Sequence, residues 1–248
     1  MGNTEIKTNA ENIIKNLSTY SYSQIFEITP AERDLTNLHI QAPYIAEPLL
    51  GMMFCAVMLG NRQQAKDCAN KIWNLGTTFS DALEMLYADM LINIGEFDKA
   101  STLIRARMDD VEKNLDLFYT AVVKYALCTG ELYILNNLAN YPEVYMTEPP
   151  LFYFAQRNFE GMANKHFKAI LKIIYDNVDN ILTTIEYLNH PDGGIQFCLY
   201  TSANLQENDR LQKIISEKID GYYASMQENN SKEVYVRIEN INLHPAWW

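Results

Sequence analysis

The sequence is poor in the residues and motifs that mark most metalloproteins and many enzymes. Its 248 residues include four cysteines and four histidines. There is no CxxC pair and no HExxH motif, so the sequence predicts no metal site. The phosphate-binding patterns GxGxxG and GxxxxGK are missing, as is the GxSxG turn of serine hydrolases. We therefore expect a protein that is not an enzyme and has no cofactor.

Long apolar runs are also missing. No run approaches the ~20 residues that a membrane-spanning helix needs. Residues 1–16 lack the apolar centre of a signal peptide, so we expect a cytoplasmic protein. Cys55, Cys68, Cys128 and Cys198 show no paired spacing, and reduced thiols within an apolar core are expected.

Basic residues are scarce relative to acidic ones. The chain has 20 Lys and Arg against 31 Asp and Glu, a formal net charge of −11. An acidic surface repels phosphate backbones and anionic lipids. This balance disfavours nucleic acid and membranes as partners, and a protein or peptide partner is expected.

Three glycines stand at a constant spacing: Gly60, Gly95 and Gly130 (95 − 60 = 35 and 130 − 95 = 35). Apolar residues at helical spacing flank each of them. Glycine readily takes the positive φ that ends a helix, so each position predicts a turn between two helices. A fixed period of this length is typical of helical-hairpin arrays. In the first repeat we expect helices from about Ala46 to Gly60 and at about 61–74. In the second repeat we expect helices at about 81–94, with Ser80 as N-cap, and at about 96–110. The third repeat is expected at about 116–141, where Pro142 stops its last helix.

The N-terminal segment is expected to cap this array. Residues 4–18 predict an amphipathic helix, because apolar side chains recur at helical spacing from Ile6 to Leu17. Thr29–Glu32 has the form of a capping box with proline at the first helical position, which predicts a short helix reaching about Leu38.

The repeats resemble the tetratricopeptide (TPR) family, whose helix-turn-helix repeats are 34 residues long. The resemblance covers about residues 46–145. Its positions are Ala88, Gly95, Phe97 and Ala100 in the second repeat, Gly60 and Ala65 in the first, and Gly130 in the third, where Leu135 replaces the usual alanine. It implies a mainly α fold, an α-α superhelix of about three repeats.

In that family the first helix of each repeat lines a concave groove that binds a protein or peptide. The resemblance therefore implies a set of partner-binding residues: Leu50, Phe54, Val57, Met58, Met85, Asp89, Ile92, Asn93, Leu117, Thr120, Lys124 and Leu127. The first-repeat part is apolar and rich in methionine, which suits apolar anchors of a partner. The alternative is that the ends of the chain cover this groove.

Apolar residues after the repeats follow a heptad. Phe167, Leu171, Ile174, Val178, Ile181, Ile185 and Leu188 have spacings of 4-3-4-3-4-3. This pattern predicts a long helix at about 163–189. Such a helix either packs along the array or pairs two copies as a homodimer.

Beyond the turn signal at residues 190–194 the pattern changes. Residues 194–201 and 233–241 predict strands, and the stretch between them predicts a helix. We expect two domains, a repeat domain (1–190) that ends with the long helix, and a small strand-helix-strand unit (191–248) packed on it. At least one of Trp247 and Trp248 is expected to pack against Ile174 or Ile181 of the long helix. The alternative is that this tail is a docking peptide that inserts in the groove of another copy or of a partner.

The leading hypothesis is a non-enzymatic adaptor that binds a protein or peptide in the repeat groove. One alternative is a TPR-type secretion chaperone. An alternative of a different class is a small-ligand sensor or enzyme that uses the C-terminal unit, with His190, Asp192 and Tyr200 converging.

Overall fold

The computed structural model describes residues 2–19, 25–107, 182–189, 195–201, 203–226 and 234–240, together with short stretches between 121 and 178. For residues 25, 26, 182–189, 195, 197, 200, 234 and 240 it describes the backbone alone. The described chain is mainly helical with one small sheet, which confirms the fold class at that level. The elements are α1 (Asn3–Leu17), α2 (Ile25–Gln41), α3 (Ala46–Met58), α4 (Arg62–Leu75), α5 (Asp81–Asn93), α6 (Phe97–Arg107), β1 (Leu182–Asn189), β2 (Ile195–Thr201), α7 (Leu205–Ser225) and β3 (Val234–Asn240).

The turns after α3 and α5 have the same geometry. Gly60 has φ 70° and Gly95 has φ 79°. In the first turn the N–H groups of Gly60 and Asn61 donate to the carbonyls of Val57 and Ala56 at 3.0 and 2.7 Å. In the second, the N–H groups of Gly95 and Glu96 donate to the carbonyls of Ile92 and Leu91 at 3.0 and 2.8 Å. Both are Schellman motifs, so the predicted 35-residue period is present in the backbone hydrogen bonds of these two turns.

Helix α3 is the centre of the helical part. Every residue of α3 except Met52 is buried, and the helix packs against α1, α2, α4 and α5. A helix that is apolar all round belongs inside a core. Helix α4 is amphipathic and buries Ala65, Cys68, Ala69 and Ile72. Trp73 in the same helix is 39% exposed.

Helix α2 differs from the prediction. It begins at Ile25, so Pro30 lies inside the helix and does not start it. Proline in this position removes one backbone hydrogen bond. Ile28 and Leu35 are both fully buried and lie seven residues apart on one face, so tertiary packing outweighs the local signal.

Helices α2 and α4 run parallel to each other. Gln64 Nε2 donates to Glu32 Oε1, and the charge of Lys71 acts on His39. In each pair the two residues are 32 positions apart (64 − 32 and 71 − 39). The contacts therefore advance in the same direction along both helices, which makes the helices parallel. With α1 and α2 both packed on α3, the N-terminal segment forms a further helical hairpin beside the first repeat.

The predicted helix at 163–189 is wrong for residues 182–189, which form β1. β1 pairs with β2 in the antiparallel sense, and Ile185 stands opposite Leu199. The stretch contains Thr183, Thr184, Ile185 and Tyr187, and β-branched and aromatic side chains favour strands. The heptad spacing therefore continues into a strand, and the boundary drawn between residues 190 and 191 falls between two paired strands.

The two predicted C-terminal strands are confirmed as β2 and β3, which are parallel neighbours. The sheet order in the described residues is β1-β2-β3. Helix α7 connects the parallel pair and buries Leu211, Ile215 and Ile219. It packs against β3, where Val236 and Ile238 are buried on one face. Lys218 Nζ donates to Asn177 Oδ1 at 2.6 Å, so α7 also contacts the helical residues near 177.

Several expectations lie outside the described residues. They are Leu117, Thr120, Leu127, Cys128, Gly130, Pro142, His190, Asp192, Trp247 and Trp248.

Candidate partner-binding site

The structure places the first-repeat residues of the predicted groove inside the core. Leu50 and Phe54 are 0% exposed, Met58 is 1% and Val57 is 4% exposed. Helices α1 and α2 pack on α3 from one side, and α4 and α5 also contact it. These four side chains are therefore buried within the chain, where α1 and α2 lie over α3.

The second-repeat residues are also buried. Met85, Asp89, Ile92 and Asn93 are at most 5% exposed. Helix α5 packs against α6, α3 and β1, and the Tyr87 hydroxyl donates to the Ala69 carbonyl at 2.9 Å. Burial and the Glu96 charge raise the pKa of Tyr87, so this hydroxyl stays protonated and acts as a structural donor. The predicted binding residues of α3 and α5 are therefore packed against other parts of the same chain.

Three of the predicted residues converge into one polar cluster, which consists of Asp89, Asn93 and Lys124. Lys124 Nζ lies 2.8 Å from Asp89 Oδ1, and the two side chains are only 13% and 7% exposed. Asn93 Nδ2 donates to Asp89 Oδ2 at 3.4 Å. Lys124 and Asp89 are 35 residues apart (124 − 89), so the ion pair joins equivalent levels of the second and third predicted repeats.

The arrangement of this polar cluster suits a structural or recognition role. A buried carboxylate needs a partner, and the Lys124 ammonium group supplies it. Asn93 Oδ1 is buried and accepts no hydrogen bond from the described residues, which leaves one unused acceptor in the cluster. Removing Lys124 alone would leave Asp89 as an uncompensated charge, which makes the cluster sensitive to single substitutions.

The packing of α1 on α3 includes an ion pair. Lys7 Nζ of α1 lies 2.8 Å from Glu47 Oε1 in the first turn of α3, and the Glu47 side chain is 3% exposed. The contact with Glu47 raises the pKa of Lys7. Gly51 of α3 lies where α1 and α2 pack on it, and a Cβ built on Gly51 would lie 2.6 Å from Leu35 of α2 and 3.2 Å from Ile14 of α1. Glycine at this position therefore lets α1 and α2 approach α3 closely.

The cysteines of the described helices are buried thiols. Burial raises the pKa of Cys55 to about 12 and that of Cys68 to about 11. Both thiols are therefore protonated at neutral pH, and a thiolate nucleophile is disfavoured there. Cys198 is also buried, and these three described residues form no disulfide, which confirms for them the expectation of thiols within the core. Among the described residues, no group of histidine, cysteine and carboxylate side chains is arranged to hold a metal ion.

Two important contacts were missed by the sequence analysis. Lys7 and Glu47 are 40 positions apart (47 − 7), and no local pattern connects them. Arg62 Nε donates to the Ile94 carbonyl at 2.9 Å, and Nη1 donates to the Val178 carbonyl at 3.4 Å. Arg62 thus joins α4 to the end of α5 and to the end of the helical residues before Val178. The 35-residue spacing of Asp89 and Lys124 was the one available signal for the polar cluster.

No protein-family model, curated protein or solved structure matches the chain. In the described parts of the chain, no helix is long and apolar enough to cross a membrane. The resemblance to TPR repeats thus depends on the residues named above.

Proposed function

We propose that this protein is a non-enzymatic adaptor that binds a protein or peptide through an array of TPR-like helical hairpins. The observation that carries the proposal is the Schellman turn repeated 35 residues apart, after α3 and after α5. The α1–α2 hairpin extends the same arrangement, because α2 and α4 are parallel neighbours on α3. Stacked hairpins form extended surfaces of the kind that bind other chains.

The partner chemistry that fits best is an amphipathic helix. The surface of α3 that faces α1 already holds such a helix, with Ile6, Ala10, Ile14 and Leu17 buried at helical spacing. Methionine side chains adapt to different apolar partners, and Met53 and Met58 of α3 are buried in this core. A partner helix with a similar apolar face and a cation near its N-terminal end would reproduce the contacts of α1, including the one with Glu47.

In this proposal α1 acts as a removable cover. Fifteen residues form a short helix, and isolated helices of this length are marginal in water. Its attachment therefore depends on packing, on the Lys7–Glu47 ion pair and on the hydrogen bond from the Tyr44 hydroxyl to Asn3 Oδ1 at 2.7 Å. Weakening one of these contacts should favour the open form of the α3 surface.

The test compares partner capture by the full chain and by two variants. Lys7→Glu places a second carboxylate beside Glu47 and should loosen α1, whereas Lys15→Glu makes the same charge change at an exposed position of α1. Each tagged chain is purified from its native cell extract, and co-purifying proteins are quantified by mass spectrometry. We expect Lys7→Glu to retain more of a defined partner than the other two chains.

Circular dichroism at the same temperature shows whether each variant is folded. Equal capture by all three folded chains would contradict the proposal, as would capture that falls with Lys7→Glu. Charge substitutions at Phe54 or Met85 are unsuitable for this test, because both side chains are buried and the fold itself would be damaged.

A further inference from the structure

β3 is an outer strand of the described sheet. The strand order is β1-β2-β3, so β3 has β2 on one side and no described strand on the other. An outer strand carries a row of N–H and C=O groups that point away from the sheet, and such a row can pair with a further strand. The backbone of β3 therefore has the geometry of a strand-docking edge.

The contacts of Gln212 show which residues of β3 face outward. Gln212 Nε2 donates to the Val236 carbonyl and its Oε1 accepts from the Ile238 N–H, both at 2.7 Å. The outward-facing residues are thus Val236 and Ile238, and Arg237 between them directs its backbone groups towards β2. Gln212 Nε2 also donates to Ser216 Oγ at 3.0 Å. The carboxamide therefore keeps one hydrogen-bond partner on α7 when a strand displaces it from β3.

Opposite charges flank Ile238 along the strand. The side chains of Val236 and Ile238 are buried on the face that packs against α7. Arg237 and Glu239 lie on the opposite face, because side chains alternate along a strand, and they form an ion pair with each other. The Arg237 side chain is 58% exposed and that of Glu239 is 15% exposed. Ile238 thus stands between a cation and an anion on the face away from α7.

This order makes β3 self-complementary in the antiparallel sense. When two copies pair about Ile238, the outward N–H and C=O groups of the two Ile238 residues face each other, and Arg237 of each copy lies opposite Glu239 of the other. Pairing about Arg237 would place two arginines opposite each other, and pairing about Glu239 two glutamates. Opposite charges across a strand pair are stabilising and like charges are destabilising. Among these registers, charge complementarity therefore selects the one centred on Ile238.

We propose that the outer edge of β3 is an interface for a second copy of this chain, which pairs antiparallel about Ile238 after displacing Gln212. Arg237 and Glu239 set the register, and Gln212 limits the association. Such twofold interfaces are the commonest in oligomers. A pair of seven-residue strands buries less area than a stable dimer needs, so this dimer is weak and depends on concentration. The interface is separate from the α3 surface that the adaptor function uses.

The first test measures self-association of the full chain by analytical ultracentrifugation over a wide range of concentrations. Physiological salt is used, because it screens the net charge of −11 on each copy. We expect Gln212→Ala to lower the dissociation constant of the dimer by about tenfold, since the second copy no longer competes with Gln212 for two hydrogen bonds. Lys213→Ala, at the neighbouring exposed position, is the control and should not change it. Gln212→Ala chains that stay monomeric at every concentration would overturn the proposal.

Charge reversal tests the register in the Gln212→Ala background. Arg237→Glu and Glu239→Arg each place like charges opposite each other, and each should weaken the dimer. The chain that carries both reversals restores opposite charges and should associate as before. Arg33→Glu makes the same charge change as Arg237→Glu at an exposed position of α2 and should have little effect. Single reversals that have no effect, or a double reversal that does not restore association, would contradict pairing about Ile238.

Hydrogen exchange locates the interface. In Gln212→Ala we expect the Ile238 amide to exchange rapidly in dilute solution and slowly at concentrations where the dimer forms, because the second copy then supplies its acceptor. Circular dichroism shows that each variant is folded, and recovery in the double reversal excludes misfolding as the cause of the single losses. Dimers that form without protecting the Ile238 amide would place the interface elsewhere and overturn the proposal.

Discussion

At the scale of single residues, glycine provides a matched pair of positions. Gly76 and Gly95 both have positive φ, 61° and 79°. A Cβ at Gly76 would meet nothing within 4 Å, whereas at Gly95 it would lie 2.6 Å from Arg62 Nη2. We expect Gly76→Ala to cost about 1 kcal/mol of unfolding free energy, from backbone strain alone. Gly95→Ala should cost more, because Arg62 must also move.

Urea unfolding of both variants measures this difference. Equal losses would show that the Arg62 side chain moves away without cost. A smaller loss at Gly95 than at Gly76 would contradict the described packing.

His39 gives a pH-dependent prediction at the same scale. Burial, together with the charge of Lys71, lowers its pKa from the usual 6.5. Its Nδ1 is buried and has no hydrogen-bond partner in the part of the chain that the structure describes. The unfolded chain therefore binds this proton more tightly than the folded chain. Its contribution to stability is complete above the unfolded pKa and is lost as the pH falls from there towards the lower folded pKa.

We expect the melting temperature to fall more between about pH 7.5 and about pH 5.5 in the unmodified protein than in His39→Gln. Carboxylates titrate in both chains, so their effect on the melting temperature cancels when the two chains are compared. Parallel pH profiles of the two chains would show that His39 has the same pKa in the folded and unfolded states.

The sequence predicted the two glycine turns correctly, but it did not predict whether the candidate binding residues are buried. Gly60 and Gly95 were found from sequence because positive φ is a local requirement that glycine meets. The burial of Leu50 and Phe54 was not predictable in this way. It depends on α1 and α2, which reach α3 from elsewhere in the chain, and an apolar inner face looks the same in a sequence whether it is open or covered.

At the scale of elements, β1 shows where sequence periodicity fails. Ile181, Ile185 and Leu188 continue a 4-3 spacing from the preceding helix, yet Leu182–Asn189 is a strand. Pairing with β2 decides the conformation, and that pairing is not visible in the local pattern. The β2–α7–β3 unit was predicted, because turn signals and alternation bound each strand.

Gln212 of α7 closes the outer edge of β3. Its Nε2 donates to the Val236 carbonyl and its Oε1 accepts from the Ile238 N–H, both at 2.7 Å. The carboxamide thus pairs with β3 as a neighbouring strand residue would. Unpaired strand edges favour association with other chains, so this side chain protects the sheet.

Gln212→Ala should therefore expose the Ile238 amide. We expect faster hydrogen exchange at Ile238 and a loss of about 1–3 kcal/mol, since two backbone groups lose their partner. Lys213→Ala, at the neighbouring exposed position, is the control and should change neither quantity appreciably. Unchanged exchange at Ile238 in Gln212→Ala would mean that the edge is protected by another group.

At the scale of the whole molecule, the parts are connected through a few long-range side chains. Lys218 joins α7 to Asn177, and Arg62 joins Val178 to the turn between α5 and α6. A continuous set of contacts therefore runs from α7 to α4 and to the turn after α5. Arg62 places its cation at two carbonyls that end helical segments, where positive charge is favourable.

This arrangement predicts that Arg62 and Gly95 are energetically coupled. Arg62→Met removes the donors but keeps an unbranched stem, and should cost about 1–3 kcal/mol, whereas Arg33→Met, at a 73% exposed side chain, should cost little. Gly95→Ala should be less destabilising in the Arg62→Met background, because the added Cβ no longer meets the guanidinium group. A double-mutant cycle by urea unfolding measures this coupling. Additive losses would place the Arg62 side chain away from Gly95.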